Sequence, residues 1–328
     1  FDAFDAAHCE SYYLYLDAAQ NYTSSFIPIG GDDGPLNPIP SEEEVTQFYY
    51  DRIQPKLTSR WGECYPEGIY CSNGKCGCCQ LSLAEAMSWL EAPTSIDLTY
   101  SDRDKDIQEL DWPEIKKHVH SGFIWRPIID EHLDTCATSE EVHNGIGRLC
   151  RQLGVLTNAI YRTEPNVVTL ANRYVVLSVA KSILGVAPYN KEITDMIALG
   201  KTTSGYETFY DQLKDGIAII FGSNSNISHA WVTDGGIQQG KLIKTYSLTY
   251  NNGVVVKREL IRTRKEVDTY FHFDWGWWGR YKGYFAAGVF DPGKPSNVEL
   301  TLGKVDEEPD PWTLGDMNNS VEYFVIKK

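Results

Sequence analysis

The sequence predicts an α+β fold with two lobes, in which helices come first along the chain and an antiparallel sheet follows. Two observations support this. Apolar residues recur at helical spacing after Trp61, whereas short strand-like runs dominate after Ile217. A chain of 328 residues, 42% of them hydrophobic, is also long enough to bury one large core or two modest ones.

Five helices are predicted. Gly77 and Pro93 bracket one apolar segment, and Thr138-Ser-Glu-Glu141 is typical of a capping box ahead of another that ends at Gly154. Asp215-Gly216 closes the last predicted helix. The predicted helices are residues 42–51, 78–90, 142–153, 170–183 and 207–214.

Strands are predicted from short apolar or alternating runs rich in β-branched and aromatic residues. Asn251-Asn-Gly253 separates two of these runs and is typical of a hairpin turn. The predicted strands are residues 217–222, 229–233, 241–250, 254–262, 269–274 and 321–326.

Both ends of the chain differ in composition from the part between them. Residues 29–40 are rich in Gly, Pro and Asp without periodicity, which is typical of a linker, and the tail is Pro- and Asp-rich. We therefore place one domain at residues 51–292, preceded by a segment at 1–50 and followed by a C-terminal extension at 293–328. Because the first residue is Phe, we expect that the chain either begins inside a longer precursor or has been trimmed, and that any secretion signal has been removed.

The chain is strongly acidic, with a formal net charge of −15. Such a protein is repelled by the phosphate backbone of nucleic acids and by anionic membrane surfaces, so neither is expected as a partner. No apolar run approaches the roughly 18 residues of a membrane-spanning helix, so no transmembrane segment is expected.

Cys78 stands at the start of the predicted helix 78–90 and is a candidate nucleophile. A thiol attacks a carbonyl only as thiolate, and the free N–H groups of a helix N-terminus lower a cysteine pKa. Gly77 has no side chain, so a substrate backbone could approach the sulfur closely. Taken alone, these residues leave a buried structural cysteine as an equal alternative.

Cys76 and Cys79 form a C-x-x-C motif, which also occurs in redox proteins and metal sites. A redox dithiol normally follows a strand, and none is predicted before Cys76, so a redox protein is the less favoured hypothesis. A zinc site needs a second ligand pair at short spacing, which the sequence lacks, so no metal or other cofactor is expected. We expect one or two local disulfides among Cys64, Cys71, Cys76 and Cys79, in an oxidising compartment.

His229 is the strongest candidate for the general base among seven histidines. It begins a short apolar strand, and a strand fixes an imidazole better than a mobile loop does. His272 also lies in a strand-like run and is the main competitor, but we expect a structural role for it.

The segment from Phe271 to Phe285 is dense in tryptophan and glycine. Glycine adds nothing to core packing and an indole N–H needs a partner, so the segment indicates the shield of a polar site. Asp274 ends the strand here and is expected to accept a hydrogen bond from His229 and to orient it, under a tryptophan that excludes water. A plain aromatic patch is the alternative.

Three motifs resemble, in this order, the streptopain family of bacterial cysteine peptidases, which have a papain-like fold. Gly77-Cys-Cys-Gln-Leu-Ser-Leu-Ala-Glu-Ala-Met-Ser-Trp-Leu-Glu-Ala-Pro93 is similar to the family's nucleophile helix. His229-Ala-Trp-Val-Thr-Asp-Gly235 is similar to its histidine strand, and Tyr270 to Phe285 to its tryptophan- and glycine-rich block. Residues 55–66 resemble the start of the mature domain, so the likeness covers residues 50–292.

The resemblance implies a cysteine endopeptidase with a papain-like two-lobed fold, in which a helical lobe carries the nucleophile and an antiparallel β lobe carries the histidine. Cys78 would be the nucleophile and His229 the base and later the acid. Trp275 and Trp277 would shield this pair and line part of the substrate cleft. A peptide substrate would form a thioester with Cys78, which water then hydrolyses.

Family members are made with a signal and an inhibitory propeptide. The resemblance therefore implies a bacterial protein that is secreted, periplasmic or on the cell surface, and a zymogen form. Residues 1–50 would hold the end of the propeptide and a linker. The partners would be protein or peptide substrates, and its own propeptide or a propeptide-like inhibitor.

Two positions depart from the family pattern by an amide-to-acid change. Asp274 stands where the family has the Asn that orients the histidine, and Glu63 stands where it has a Gln near the oxyanion. An Asp can still accept from an imidazole, but an ionised Glu63 would repel an oxyanion unless it is protonated. The alternative hypothesis is therefore a peptidase-like protein that binds peptide or inhibitor and cleaves weakly or not at all.

Overall fold

The computed structural model describes residues 41–59, 61–99, 106–117, 139–163, 168–251, 253–277, 281–294, 296 and 315–328. These residues form two compact units. Within the described residues, one comprises 41–51 with Gln238–Asp268, and the other comprises Arg52–Ile237 with the described part of Thr269–Lys328. The linker predicted at 29–40, and most of the segment predicted at 1–50, lie outside the described residues.

Four of the five predicted helices are found, all but 42–51, and with one short helix that was not predicted they make five helices in the described residues. They are α1 (Cys78–Leu90), α2 (Trp112–Ile115), α3 (Glu140–Leu156), α4 (Arg173–Leu184) and α5 (Thr203–Gln212). The predicted bounds of α1 are confirmed. The side chain of Ser139 accepts from the N–H of Val142, as the capping signal predicts for α3. Gly154 does not end α3, which continues to Leu156. This glycine instead makes room for Tyr161, whose hydroxyl oxygen would lie 1.8 Å from a Cβ added at position 154.

Helix α4 begins later than predicted, and α5 begins earlier. Asn172 caps α4 by accepting from the N–H of Tyr174, which leaves Leu170 to a short strand. Thr202 caps α5 by accepting from the N–H of Gly205. Side-chain caps therefore set both starts.

Most strands belong to one antiparallel sheet. The strands are β1 (Ser41–Ile53), β2 (Ser95–Asp97), β3 (Ile107–Glu109), β4 (Ile160–Arg162), β5 (Val168–Leu170), β6 (Ile197–Ala198), β7 (Gly216–Ser223), β8 (Ser228–Asn251), β9 (Val254–Asp274), β10 (Gly283–Ala286) and β11 (Glu322–Lys327). The order in the sheet is β10-β9-β8-β7-β11-β6, with β1 paired to β8. β2 pairs with β3, and β4 with β5.

Residues 42–51 form strand β1 rather than the predicted helix. The glutamates at its start favour a helix, but the Val-Thr and Phe-Tyr-Tyr steps that follow favour a strand. Pairing with β8 decides between these preferences.

The strands predicted at 229–233 and 241–250 are one strand, β8, and those predicted at 254–262 and 269–274 are one strand, β9. Gly235 and Gly236, which lie between the two predicted strands, do not interrupt β8. A Cβ on Gly236 would lie 3.0 Å from both a Tyr210 ring carbon and the Tyr270 carbonyl oxygen. These glycines therefore permit close packing against a continuous strand.

Strand β7 separates two apolar cores in the larger unit. Successive side chains of a strand point to opposite faces. Ile217 and Ile219 join the core that contains α1, α3 and α4, whereas Ala218 and Ile220 join an aromatic core that contains Phe209 of α5. The helix with Cys78 and the strand with His229 are thus each anchored in buried structure.

The strand predicted at 321–326 is confirmed as β11, which pairs with β7 on one side and β6 on the other. Phe324 and Ile326 pack in the first core, and Tyr323 and Val325 pack in the second. The segment predicted as a C-terminal extension therefore supplies an inner strand of the sheet. Among the described residues, no helix is long and apolar enough to cross a bilayer.

Candidate active site

Helix α1 begins at Cys78 without a side-chain cap. Gly77 precedes it with φ of 94° and ψ of 147°, a conformation that favours glycine. A Cβ at this position would also lie 2.8 Å from Thr169 Cβ. The helix is buried along most of its length, whereas Cys78 is partly exposed. The sequence thus places a thiol at an uncapped helix N-terminus, on an element that cannot shift easily.

His229 lies in β8 opposite Gly222 of β7, and only 6% of it is exposed. Its Nε2 atom lies 2.9 Å from the main-chain oxygen of Trp275. Because a carbonyl oxygen can only accept, Nε2 carries the proton in this bond. The free lone pair of a neutral imidazole is then on Nδ1, where it can act as a base.

Cys78 and His229, which the sequence predicts as nucleophile and base, are brought together. Their side chains form a hydrogen bond. The sulfur of Cys78, a ring nitrogen of His229 and a carboxylate oxygen of Glu63 all lie within 4.8 Å of one another.

The pKa of the Cys78 thiol reflects opposing neighbours. A hydrogen bond with the Cys79 thiol and burial both raise this pKa, whereas the charge and hydrogen bond of His229 lower it. The net result is a pKa well above that of an ordinary thiol. His229 thus acts in the direction that catalysis requires, and Cys79 acts against it.

Asp274 is fully buried, but it is not the acceptor for Nε2 of His229. Its Oδ1 accepts from the N–H of Gly276 at 3.1 Å, and its Oδ2 pairs with Lys282 Nζ at 2.7 Å. The first contact closes a turn of the Asx type, with Gly276 at φ 73°. Trp275 lies inside this turn. The geometry therefore corrects the sequence prediction: Asp274 shapes the turn, and the carbonyl of Trp275 takes the bond to His229.

Lys282 links Asp274 to the segment that precedes Glu63. Its Nζ donates to the carbonyl oxygens of Leu57 at 3.3 Å and Ser59 at 3.0 Å. Burial lowers the pKa of Lys282, but Asp274 and other nearby carboxylates outweigh it and raise the pKa overall. Lys282 is therefore a charged tether between the tryptophan turn and residues 57–59.

His272 has the structural role that the sequence predicts. Its Nδ1 lies 2.6 Å from Oδ1 of Asp234. The other oxygen of Asp234 accepts from the main-chain N–H groups of Lys56 at 2.8 Å and Leu57 at 2.7 Å. Burial raises the pKa of Asp234, but the combined effect of His272, Lys282 and the N–H of Leu57 lowers it by more, so the pKa is below its ordinary value. The pair anchors the segment that leads to Glu63.

Glu63 lies beside Cys78 and His229 because Gly62 forms an antiparallel bridge with Trp277. Burial raises the pKa of its carboxyl, and Lys75 offsets part of that rise. The protonated form is thus favoured relative to a carboxyl in water, and only that form can donate a hydrogen bond.

Aromatic rings surround His229, as the tryptophan-rich segment predicts. The centroid of Trp277 lies 5.1 Å from that of the imidazole, and those of Trp231 and Trp275 each lie 6.2 Å away. Trp231 and Trp275 stack on each other at 4.7 Å. Trp275 is fully buried and Trp277 is partly exposed, so these rings cover the histidine and leave one ring accessible.

The predicted local disulfides are not found. Within the described residues, the cysteines have free thiols: Cys64, Cys71, Cys76, Cys78, Cys79 and Cys150. Cys76 contacts Cys150 of α3, whereas Cys79 contacts Cys78, so the two ends of the C-x-x-C motif have different neighbours. Burial raises the pKa of Cys64 and of Cys71 to about 11. These thiols are therefore poor nucleophiles near neutral pH.

Three functional features were not predicted from the sequence. The main-chain oxygen of Trp275 could not have been predicted as the acceptor for His229, because every residue has such an oxygen. Lys282 could have been suspected, since an Asp that ends a buried strand needs a cation. The influence of Cys79 on Cys78 could have been inferred from their adjacency.

A family comparison covers all of these residues. The model of the Peptidase C10 family matches residues 47–285, most of the chain. The chain belongs to this family. Membership confirms the resemblance to streptopain-type enzymes, and with it the predicted enzyme class, a cysteine-type peptidase.

Among solved structures, this Peptidase C10 chain is similar to the active wild-type interpain A cysteine protease of Prevotella intermedia. The TM-score is 0.50 and the sequence identity is 16%, over 83% of this chain and 94% of the interpain A chain. At this identity the likeness concerns the fold alone, and it agrees with the mixed helix and sheet composition. No curated protein matches the sequence.

Proposed function

We propose that this Peptidase C10 protein is a cysteine endopeptidase that cleaves protein or peptide substrates, with Cys78 as nucleophile and His229 as general base. The observation that carries the proposal is the contact between the thiol and an imidazole whose Nε2 already binds the main-chain oxygen of Trp275. Because that bond keeps Nδ1 free, the ring is held in the tautomer that can take the thiol proton.

Acylation begins when the proton of Cys78 moves to Nδ1 of His229. The thiolate attacks the scissile carbonyl carbon, and the carbonyl oxygen becomes an oxyanion. When the oxyanion collapses, the C–N bond breaks and His229 gives its proton to the leaving amine. A thioester on Cys78 remains.

Deacylation repeats this proton transfer with water. Nδ1 of His229 removes a proton from a water molecule, which attacks the thioester carbon. The C–S bond then breaks, the acid product leaves, and the proton returns to the Cys78 thiolate. The bond from Nε2 to Trp275 supports the imidazolium in both halves of the cycle.

Two donors are proposed for the oxyanion. One is the main-chain N–H of Cys78 at the uncapped start of α1. The other is the protonated carboxyl of Glu63, whose raised pKa favours the neutral acid. Gly77 packs against Thr169 and Gln80, so it serves to fix the start of α1 and does not provide the open approach to the sulfur that the sequence predicts. The partly exposed Trp277 offers the substrate an apolar surface.

Secretion and zymogen control also belong to the proposal. We propose that residues 1–50 hold the end of an inhibitory propeptide and its linker, and that the active domain starts near residue 51. If this is correct, incubation of the wild-type protein should release the N-terminal segment, and incubation of Cys78→Ala should not. Intact-mass spectrometry of both samples over time distinguishes these outcomes.

Thiol labelling tests the proposed nucleophile. The proposal requires that Cys78 react with iodoacetamide at pH 6 faster than free cysteine does, which needs His229 to outweigh the Cys79 contact and the burial that raise the thiol pKa. Cys78→Ala should lose hydrolysis of denatured casein. His229→Ala should slow both reactions. Cys150→Ala is the matched control, since its thiol is buried in α3 and contacts Cys76 rather than Cys78.

A peptide-binding protein with weak or no activity is the second candidate. The observation in its favour is the raised pKa of Cys78, because a thiol held protonated by Cys79 and burial attacks slowly. If Cys78 reacts no faster than free cysteine and casein stays intact, this function replaces the first.

A further inference from the structure

We infer that Glu63, Cys78 and His229 form a binding site for a divalent zinc ion, and that zinc bound there blocks the thiol. The metal site itself stands on geometry and donor chemistry. Its inhibitory consequence rests on the proposed peptidase function.

The spacing of the three donor atoms fits a metal ion. A sulfur, an imidazole nitrogen and a carboxylate oxygen all lie within 4.8 Å of one another. Tetrahedral zinc has ligand bonds of about 2.0–2.3 Å, which place neighbouring donors about 3.3–3.8 Å apart. Small side-chain rotations of Glu63 and Cys78 can close this difference, because both side chains are only partly buried.

The donor set is one that zinc prefers. Thiolate, imidazole and carboxylate are its three common protein ligands, and three of them leave a fourth position for water or a substrate group. The thiolate of Cys78 and the carboxylate of Glu63 together balance the two positive charges of the ion. With an amide at position 63, one positive charge would remain in a poorly solvated site, so the acid at this position favours the metal.

The surroundings of His229 also fit a metal ligand. A ligating histidine normally donates its second ring N–H to a carboxylate or a main-chain carbonyl, which fixes the ring and its tautomer. The bond from Nε2 to the Trp275 oxygen is such a contact, and it directs the lone pair of Nδ1 toward the cysteine. The nearby ring of Trp277 limits access of water.

Zinc in this position would bind the sulfur lone pair with which Cys78 attacks the substrate. It would also bind Nδ1 of His229, the atom that acts as the base. The ion would also replace the thiol proton of Cys78 and the carboxyl proton of Glu63 where that acid is protonated, and both protons are released to solvent. Acylation then requires that zinc leave, so the metal would act as a reversible inhibitor of the same three side chains.

Cobalt(II) titration of the full chain after chelator treatment tests the site. One equivalent should produce thiolate-to-cobalt charge-transfer absorption, and zinc should abolish it. Cys78→Ala should lack the absorption. Glu63→Gln should bind zinc at least about 10- to 100-fold more weakly in a chelator competition, since even partners of metal ligands have effects of that size. Glu140→Gln, an exposed acid in the first turn of α3, is the matched control and should bind as the wild type does.

X-ray absorption of the zinc-loaded wild type tests the site without any variant. It should give one sulfur and two or more nitrogen or oxygen neighbours. Full cobalt absorption in Cys78→Ala, unchanged affinity in Glu63→Gln, or a shell of several sulfurs would each overturn the site. Activity separates the two proposals. If the protein binds the metal but does not hydrolyse casein, the metal site stands and the peptidase function is rejected. If the protein hydrolyses casein, binds no zinc and is not inhibited by zinc, the metal site is rejected.

Discussion

The Nε2 atom of His229 lies 2.9 Å from the main-chain oxygen of Trp275, so a backbone atom and not the neighbouring carboxylate holds the imidazole. No substitution removes that oxygen. Its position depends on the turn that Asp274 closes through Gly276, and on the ion pair of Asp274 with Lys282. These two contacts can be changed separately.

Replacing Asp274 should separate the turn from the ion pair. Asp274→Ala loses both and leaves the Lys282 charge unpaired in a mostly buried place, which should lower the free energy of unfolding by about 3–5 kcal/mol. Asp274→Asn keeps an acceptor for the N–H of Gly276, so kcat should fall less than in Asp274→Ala while stability still drops. Urea unfolding and kcat for casein hydrolysis measure the two effects. Equal losses of kcat in both variants would mean that the charge of Asp274 acts on His229 itself.

Removing the Cys79 thiol should make Cys78 more reactive. Cys79 is the largest cause of the raised pKa of Cys78, so Cys79→Ala should lower that pKa and move the midpoint of the alkylation rate to lower pH. Iodoacetamide labelling of Cys78 from pH 5 to 10, followed by peptide mass spectrometry, measures the shift. Cys150→Ala removes a buried thiol elsewhere and should leave the midpoint in place. An unmoved midpoint in Cys79→Ala would show that burial alone holds the proton.

The acid at position 63 should give kcat an alkaline limit. Below its raised pKa, Glu63 is protonated and can donate to the oxyanion; as pH rises through that pKa, the donor is lost and a like charge takes its place. Glu63→Gln donates at every pH, so its kcat should exceed that of the wild type on the alkaline side by up to about 10²–10³-fold, the usual worth of one oxyanion donor. Profiles of kcat against pH for both proteins, with chelator present, measure this. If the alkaline limb is the same in both, it belongs to another group.

Gly77 should tolerate no side chain, because its positive φ strains any other residue and because a Cβ would collide with Thr169. Gly74 has a positive φ without such a collision, so a comparison of the two glycines separates these effects. Gly77 has φ of 94° and lacks room for a Cβ beside Thr169, whereas Gly74 has φ of 74° with nothing within 4 Å of an added Cβ. Both substitutions to alanine should cost about 1–3 kcal/mol of backbone strain. Gly77→Ala should cost more and should also slow labelling of Cys78, because the start of α1 must move. Thermal unfolding and labelling rates of the two variants measure this, and equal effects would rule out the contact with Thr169.

Local signals explain how much of the fold could be predicted. The bounds of α1 and the capped start of α3 follow from caps and apolar spacing, which act over a few residues. β1 was predicted as a helix because its pairing with β8 depends on residues far away in sequence. β8 was predicted as two separate strands, and from sequence alone the glycines between them, Gly235 and Gly236, cannot be told from glycines in a turn.

The candidate site divides in the same way. Cys78 and His229 could be predicted because each has a chemical requirement that its own segment expresses. The acceptor for Nε2 of His229 could not, because every residue has a carbonyl oxygen and only the folded turn directs that of Trp275 to the ring. The effect of Glu63 depended on its burial, which raises the pKa of its carboxyl and is a property of the packed site.

The position of β11 constrains when this protein can fold. A ribosome synthesises β7 and β6 well before β11, yet β11 lies between them in the sheet and supplies Phe324 and Val325 to two different cores. Until residue 327 has emerged, β6 and β7 lack their shared partner and both cores lack part of their lining. Such long-range pairing is slow and leaves strand edges exposed. The sheet therefore cannot be completed before β11 has been synthesised, and β6 and β7 cannot be joined through it until then.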